Sequence, residues 1–187
     1  GVTYKGQSIF NYGDVSTCSF HATKLFHTGE GGALICKSAY FDKMYYHHNF
    51  GHDGTEAYYG LGINAKMSEP QAAMGLAILP YFETILKERQ FVVGVYQDAF
   101  VKSDLQLLKI RSGTVWNYSY YPVILQDEGQ LLQVQKALND AGVFPRRYFY
   151  PSLNKIDYIS SGSCPISESI ASRILCLPLF PGLEKES

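Results

Sequence analysis

Two short apolar, β-branched runs, residues 15–20 and 33–36, flank Ser19-Phe20-His21-Ala22-Thr23-Lys24 and Gly29-Glu30-Gly31-Gly32. No other stretch constrains the fold as much. Runs of this length bounded by turn residues predict strands. The glycines let the connecting backbone turn sharply or come close to a ligand. A loop at a strand end is where α/β proteins bind ligands, so the serine and lysine there read as binding residues, not as solubility charges.

The rest of the chain alternates around this loop. Ser38 predicts a cap for a helix over residues 39–49. Residues 51–62, with Gly51, Gly54, Gly60 and Gly62, predict a long loop, a feature that is usually functional or disordered in compact domains. Ser68-Glu69-Pro70 opens a helix to residue 79, and Pro80 kinks or restarts it. Phe82, Ile85, Leu86, Val92, Val93, Tyr96 and Phe100 keep the helical period. Residues 105–110 and 118–125 read as strands about a Ser112-Gly113 turn, and 127–139 as a helix stopped by Gly142. Residues 143–150 read as extended, 167–172 as a short helix and 174–177 as a last strand, while the polar, glycine-dotted residues 1–14 read as loop or edge. Strands alternate with helices in both halves, which gives an α/β or α+β class. A composition shift near 102–112 puts a boundary between residues 1–101, motif-bearing and ending in a long helix, and residues 102–187, a strand-strand-helix-strand unit.

The net charge of -1 argues against nucleic acid as a partner, because phosphate binding needs a basic excess. The longest uncharged apolar stretch, residues 72–79, is too short to span a bilayer, and no basic segment followed by an apolar run opens the chain as a secretory leader would. Cys18, Cys36, Cys164 and Cys176 form no C-x-x-C pair and read as free thiols of a cytoplasmic protein. His21, His27, His47, His48 and His52 lie close in sequence, but no cysteine or second-helix carboxylate completes a zinc ligand pattern, so no metal is expected. Tyr45-Tyr46 and Tyr58-Tyr59 read as stacking surfaces or as core and interface filler, and Arg146-Arg147 as a diphosphate clamp or a solvated pair.

A lysine amine forms an imine with a carbonyl once it is neutral, and the apolar neighbours Phe20, Leu25 and Phe26 favour that form at Lys24. The Ser19 hydroxyl is a phosphate contact in the same reading, and together these groups suit pyridoxal phosphate (PLP). On residue chemistry alone a plain loop remains the competing reading.

The run from Ser19 to Lys24 with Gly29-Glu30-Gly31-Gly32 resembles the signature of the DegT/DnrJ/EryC1/StrS family of sugar aminotransferases. In family order, Gly62-Ile63-Asn64-Ala65-Lys66-Met67-Ser68-Glu69-Pro70-Gln71-Ala72-Ala73 resembles the G-x-N-x-R/K-M-x-E-x-Q-A-A segment. Arg147-Tyr148-Phe149-Tyr150-Pro151-Ser152-Leu153 is similar to R-x-Y-Y-P-P-L-H, and Cys176-Leu177-Pro178-Leu179-Phe180-Pro181 to L-P-L-x-P.

The resemblance implies an α/β fold like that of aspartate aminotransferase (PLP fold type I). Residues 1–101 would form the end of the large PLP-binding domain with its long linking helix, and residues 102–187 the small α+β C-terminal domain. It also implies that the cofactor residues usually found upstream, an aspartate at the pyridine nitrogen among them, would precede Gly1. By the same resemblance, Lys24 condenses with the cofactor aldehyde and then serves as acid and base, and Ser19 contacts the phosphate. Asn64 or Lys66 reaches the phosphate of a neighbouring subunit in a homodimer with shared sites, and Tyr150 and the loop containing His52 face the nucleotide sugar. His21 is a hydrogen-bonding support under the loop. The implied substrate is a nucleotide-linked keto-deoxysugar of dTDP type with glutamate as amino donor, serving O-antigen, capsule or antibiotic glycosides. The competing expectation is a non-catalytic module that keeps the fold and dimer surface. A family dehydratase would carry histidine in place of Lys24.

Overall fold

Residues 1–159 and 162–183 are described in the computed structural model of the chain. The backbone divides into Gly1–Ile85 with Ser112–Asn117, and Leu86–Arg111 with Tyr118–Ser187. The boundary expected at 101/102 falls inside the second of these units.

In the first unit, β1 (Thr3–Tyr4) pairs antiparallel with β2 (Gln7–Ser8). The β6 strand (Thr114–Val115) adds to the other edge of β1. Strands this short leave no alternating pattern, so residues 1–14 show no strand signal in the sequence. Next come β3 (Val15–Ser19) and β4 (Gly32–Cys36), an antiparallel pair with Val15 opposite Cys36 and Ser19 opposite Gly32. The helix expected over residues 39–49 is shorter: Ser38–Tyr40 forms a 3-10 turn, and α1 covers Phe41–His47. The α2 helix (Glu69–Ile78) starts where Ser68-Glu69-Pro70 predicts. The Ser68 backbone N–H and hydroxyl both donate to Gln71 Oε1 at 2.9 Å, which satisfies the helix start from a side chain. Pro80 sits in a 3-10 turn, Leu79–Tyr81, before α3 (Phe82–Phe100).

The second unit has a sheet in the order β5 (Gln106–Leu107), β7 (Tyr121–Ile124), β8 (Ile174–Leu177), paired antiparallel. Its helices are α4 (Glu128–Asp140) and α5 (Pro165–Arg173), besides most of α3. Asp127 caps α4 by accepting from Gln130 N at 2.8 Å, and beyond Gly142 the Val143 N–H returns to Leu138 O at 2.8 Å. Val92 and Val93 of α3, Tyr121, Val123 and Leu125, Leu131 of α4, Ala171 of α5 and Leu175 of β8 close the core. Arg89 is buried with them and has carbonyl partners: Nε donates to Tyr118 O at 2.8 Å, Nη2 to Ser119 O at 2.7 Å and Nη1 to Leu179 O at 2.5 Å. Its burial lowers the guanidinium pKa. Residues 143–150 contribute a single bridge, Arg146 to Cys176, because Pro145 lacks the N–H that would extend a ladder. The four cysteines are free thiols, and burial pushes Cys176 up to about 11, so it stays protonated. Among the described residues no helix is long and apolar enough to cross a membrane.

Candidate functional site

The loop between β3 and β4 is closed at its base by main-chain bonds. Phe20 N donates to Gly31 O and Thr28 N to Phe20 O, each at 2.9 Å. Thr28 is buried, and its hydroxyl donates to Glu30 O at 2.6 Å. Gly31 has φ 149°, and a Cβ there would stand 2.5 Å from Thr28 Oγ1 and 2.9 Å from Met67 Cε. A side chain at that position is therefore excluded by both backbone conformation and space. Phe20 and Phe26 meet edge to face at 5.0 Å, and Phe26 meets Phe82 at 6.4 Å. These rings anchor the loop that carries Lys24.

Within the loop, Ser19 and Lys24 lie on either side of His21. The Ser19 hydroxyl oxygen accepts from His21 N at 3.3 Å, and Lys24 N donates to His21 O at 2.9 Å. The His21 ring Nδ1 accepts from Thr23 N at 3.3 Å and lies 3.0 Å from Thr23 Oγ1, while Nε2 is 3.6 Å from Glu30 Oε1. Lys24 is half-buried. No carboxylate stands within ion-pair distance of its amine among the described residues. His27 Nδ1 is buried without a hydrogen-bond partner among them.

Asn64 and Lys66 form a second cluster. Lys66 Nζ donates to Asn64 Oδ1 at 2.7 Å and sits 4.3 Å above the Phe50 ring. The stretch read as a long loop is closed at its ends by main-chain bonds: Gly51 N donates to Tyr46 O of α1, Phe50 N to Ile63 O, Ile63 N to His47 O and Ala65 N to His48 O, all at 2.9 Å. Gly51, at φ 74°, is required because a Cβ would run into Gly60 O. Tyr46 and Tyr59 stack at 4.8 Å, so these members of the two tyrosine pairs pack on each other. Asp53 raises the Tyr46 pKa by its charge and hydrogen bond. His52 lies against the Tyr58 ring at 5.0 Å and near Phe50 at 5.8 Å. His47 Nδ1 and His48 Nδ1 are engaged with the carbonyls of Leu61 and Tyr45. Among the described residues no group of three His, Cys, Asp or Glu stands close enough to hold a metal ion.

A cavity of about 720 Å³ opens in this unit, with Cys18, Gly31, Tyr45, Lys66, Met67 and Gln71 on its walls. Lys66 thus shares a cavity with the glycine end of the Lys24 loop. Sequence reasoning does not find this cavity, because its walls come from segments that only the fold brings together. The buried Thr28 is also missed; a β-branched residue immediately before the glycines is its only local signal.

Tyr150 belongs to the second unit. Its ring is half-exposed and lies 3.6 Å beneath the Arg147 guanidinium. Arg147 Nη2 donates to Glu128 Oε1 at 2.6 Å and to Ser172 O at 3.1 Å. Arg147 thus differs from both sequence expectations: its charge is met by α4 instead of standing free for a diphosphate or for water.

The sequence profile of the DegT/DnrJ/EryC1/StrS aminotransferase family matches residues 1–187. A Shigella dysenteriae protein, dTDP-4-amino-4,6-dideoxy-D-glucose transaminase, is 34% identical over all of this chain and 53% of its own length. The GDP-perosamine synthase of Vibrio cholerae is 28% identical over 98% of the chain and 52% of its own. A Streptococcus pneumoniae protein solved in its PLP form superposes with a TM-score of 0.89 at 22% identity, covering 100% of this chain and 52% of the other, and shows the fold. The chain therefore spans about half the length of the curated relatives it matches. The fold is that of the type I PLP enzymes, and PLP is the family's cofactor. With the glycine loop, its lysine and its serine arranged as above and the profile matched from end to end, the chain belongs to the DegT/DnrJ/EryC1/StrS aminotransferase family.

Proposed function

We propose that this chain serves a PLP-dependent aminotransferase that moves an amino group from glutamate to a nucleotide-linked keto-deoxysugar of dTDP type. The observation that carries the reading is Lys24, a half-buried residue whose amine has no carboxylate partner among the described residues and whose main-chain N–H is joined through His21 to the Ser19 hydroxyl. The names of the relatives from Shigella dysenteriae and Vibrio cholerae support a nucleotide-sugar substrate, and they differ in the nucleotide.

The residues present fit the cofactor. Ser19 Oγ already accepts a main-chain N–H, which leaves its own proton to donate to a phosphate oxygen. Gly31 keeps the loop floor clear of a side chain that would close it. When bound, PLP supplies an aldehyde that captures amines and a ring that draws off electrons. Lys24 Nζ then takes a proton from the α-carbon of the amino donor and returns one to the acceptor side. Asn64 and Lys66 act as a pair in this reading: Lys66 occupies Asn64 Oδ1, so Asn64 Nδ2 and the remaining Lys66 protons face an anion together. They serve a neighbouring subunit in a homodimer. The exposed Phe41, Tyr45, Tyr58, Leu61 and Ile63 support that partner, since interfaces favour aromatic and apolar surface. Tyr150 and His52 are assigned to the nucleotide-sugar side. A cytoplasmic setting and a supply of amino sugars for O-antigen, capsule or antibiotic glycosides go with this function.

Incubation with PLP, borohydride reduction and peptide mapping test the proposal. A pyridoxyl group is expected on the Lys24 peptide and is expected to be lost in K24A. Wild-type chain without the adduct overturns the cofactor role and favours a non-catalytic module. Calorimetry with dTDP and GDP tests the nucleotide, with dTDP expected to bind more tightly.

A further inference from the structure

We propose that His21 is a positioning residue that sets the relation of Ser19 to Lys24 by forming the side-chain half of an Asx-type turn. The inference rests on the cofactor reading of Lys24 and adds a residue to it. In an Asx turn a side-chain acceptor on one residue bonds the N–H two residues on. His21 does this with a ring nitrogen: Nδ1 accepts from Thr23 N at 3.3 Å, and Thr23 Oγ1 stands 3.0 Å away to give a second proton. A main-chain N–H can only donate, so Nδ1 is the bare nitrogen and the neutral ring carries its proton on Nε2, facing Glu30 Oε1 at 3.6 Å.

The same residue bonds both proposed cofactor residues through its main chain, Ser19 at its hydroxyl and Lys24 at its main-chain N–H. Three successive constraints, between residues 19 and 21, 21 and 23, and 21 and 24, therefore fix this turn. Ala22 and Thr23 are exposed, so no buried side chain holds them there. Without the ring acceptor the turn keeps only the two main-chain contacts of His21, and residues 22–23 are released. The pair with Glu30 is exposed and is worth little on its own.

The role depends on an acceptor at the right reach, not on an imidazole. Asparagine offers one and leucine does not, so H21N and H21L separate positioning from proton transfer by the ring. Two readouts are taken on the full chain. Labelling of Lys24 by PLP and borohydride is expected to stay within about twofold of wild type in H21N and to fall about fivefold or more in H21L, the equilibrium share of one net hydrogen bond. Amide exchange at Thr23 is expected to be slow in wild type and H21N and faster in H21L by a similar factor. Equal labelling in H21L and wild type overturns the proposal, and so does H21N as poor as H21L. Wild-type chain with no label at Lys24 overturns the cofactor reading instead, and Thr23 exchange then decides by itself whether His21 holds the turn. Should H21L fail to fold, the imidazole ¹⁵N shifts of wild type decide: a proton on Nδ1 overturns the turn, and a bare Nδ1 supports it.

Discussion

In the unit formed by Leu86–Arg111 and Tyr118–Ser187, apolar side chains from three helices and two strands are shut away from solvent, with Leu131 and Leu175 at 0% exposure. In the unit formed by Gly1–Ile85 and Ser112–Asn117, the shut-away residues are Thr28, Gly51 and Gly75, while Leu61 is 90% and Leu76 71% exposed. The first of these stretches is ordered by a core. The other is ordered by turn chemistry: main-chain bonds at the base of the Lys24 loop, main-chain bonds that close the ends of residues 51–62 on each other and on α1, and the Ser68–Gln71 cap. Loops that bind ligands are drawn from less buried structure, and large exposed apolar patches mark interaction surfaces. On the function proposed above, buried apolar packing lies in one unit and the lysine loop, with most of the exposed aromatic and apolar surface named for a partner, in the other.

Truncations test that division most sharply. L175A is expected to cost about 3 kcal/mol, because a fully enclosed leucine leaves a cavity, whereas L61A is expected to stay within about 0.5 kcal/mol. Urea unfolding of the two variants measures both, and a large loss in L61A would break the contrast. Arg89 comes next. R89M strips the donors from three carbonyls in the second unit and is expected to cost about 2 kcal/mol, with R89K between it and wild type, in the same assay. The helix caps give a smaller effect. D127A and S68A are each expected to cost about 1 kcal/mol locally. D127A should lower the midpoint of the unit with the core. S68A should instead show as faster amide exchange in the first turn of α2, because little buried surface couples that turn to the rest of its unit.

Features set by neighbours in sequence are legible from the residues alone. The β3–β4 pair lies within one residue of its expected bounds, α2 begins at the Ser68 cap, and α4 runs from Asp127 to the Gly142 stop. The Lys24 loop is legible for the same reason, since its serine, lysine and glycines sit close together in the chain. Features set by distant partners are not. β1 pairs with β6 across more than a hundred residues, Arg89 finds Leu179 O, and Arg147 finds Glu128. Residues 51–62 read as a bare loop because glycines and tyrosines announce flexibility and stacking alike, and only the register of main-chain bonds to α1 decides between them. The same holds for Asn64 and Lys66. Their spacing suggests alternatives, and the fold joins them by a hydrogen bond.

The smallest effect is a slope in pH, and it belongs to the second unit. Glu168 of α5 accepts from Cys164 N at 2.8 Å and Asn154 Nδ2 at 2.6 Å and lies 3.1 Å from Lys155 Nζ. The Cys164 N–H, then Asn154 and Lys155, hold its carboxyl at about 2, below the ordinary value of 4.5. A depressed folded pKa means that the unfolded chain binds the proton more readily, so the stabilisation is whole above about 4.5 and is lost as pH falls towards about 2. E168Q has no such proton to gain. Its unfolding midpoint is expected to start below that of wild type at neutral pH and to vary less across that window, so the two curves converge in acid. D14N serves as the counterpart in the first unit, where Asp14 and Lys37 meet at 2.6 Å but both side chains are more than half exposed. Solvent screens that pair, and its removal is expected to change the unfolding midpoint little. Parallel curves for wild type and E168Q would mean that the carboxylate ties Asn154, Lys155 and Cys164 to α5 no more firmly than an exposed pair does, and the contrast between the units would then rest on apolar burial alone.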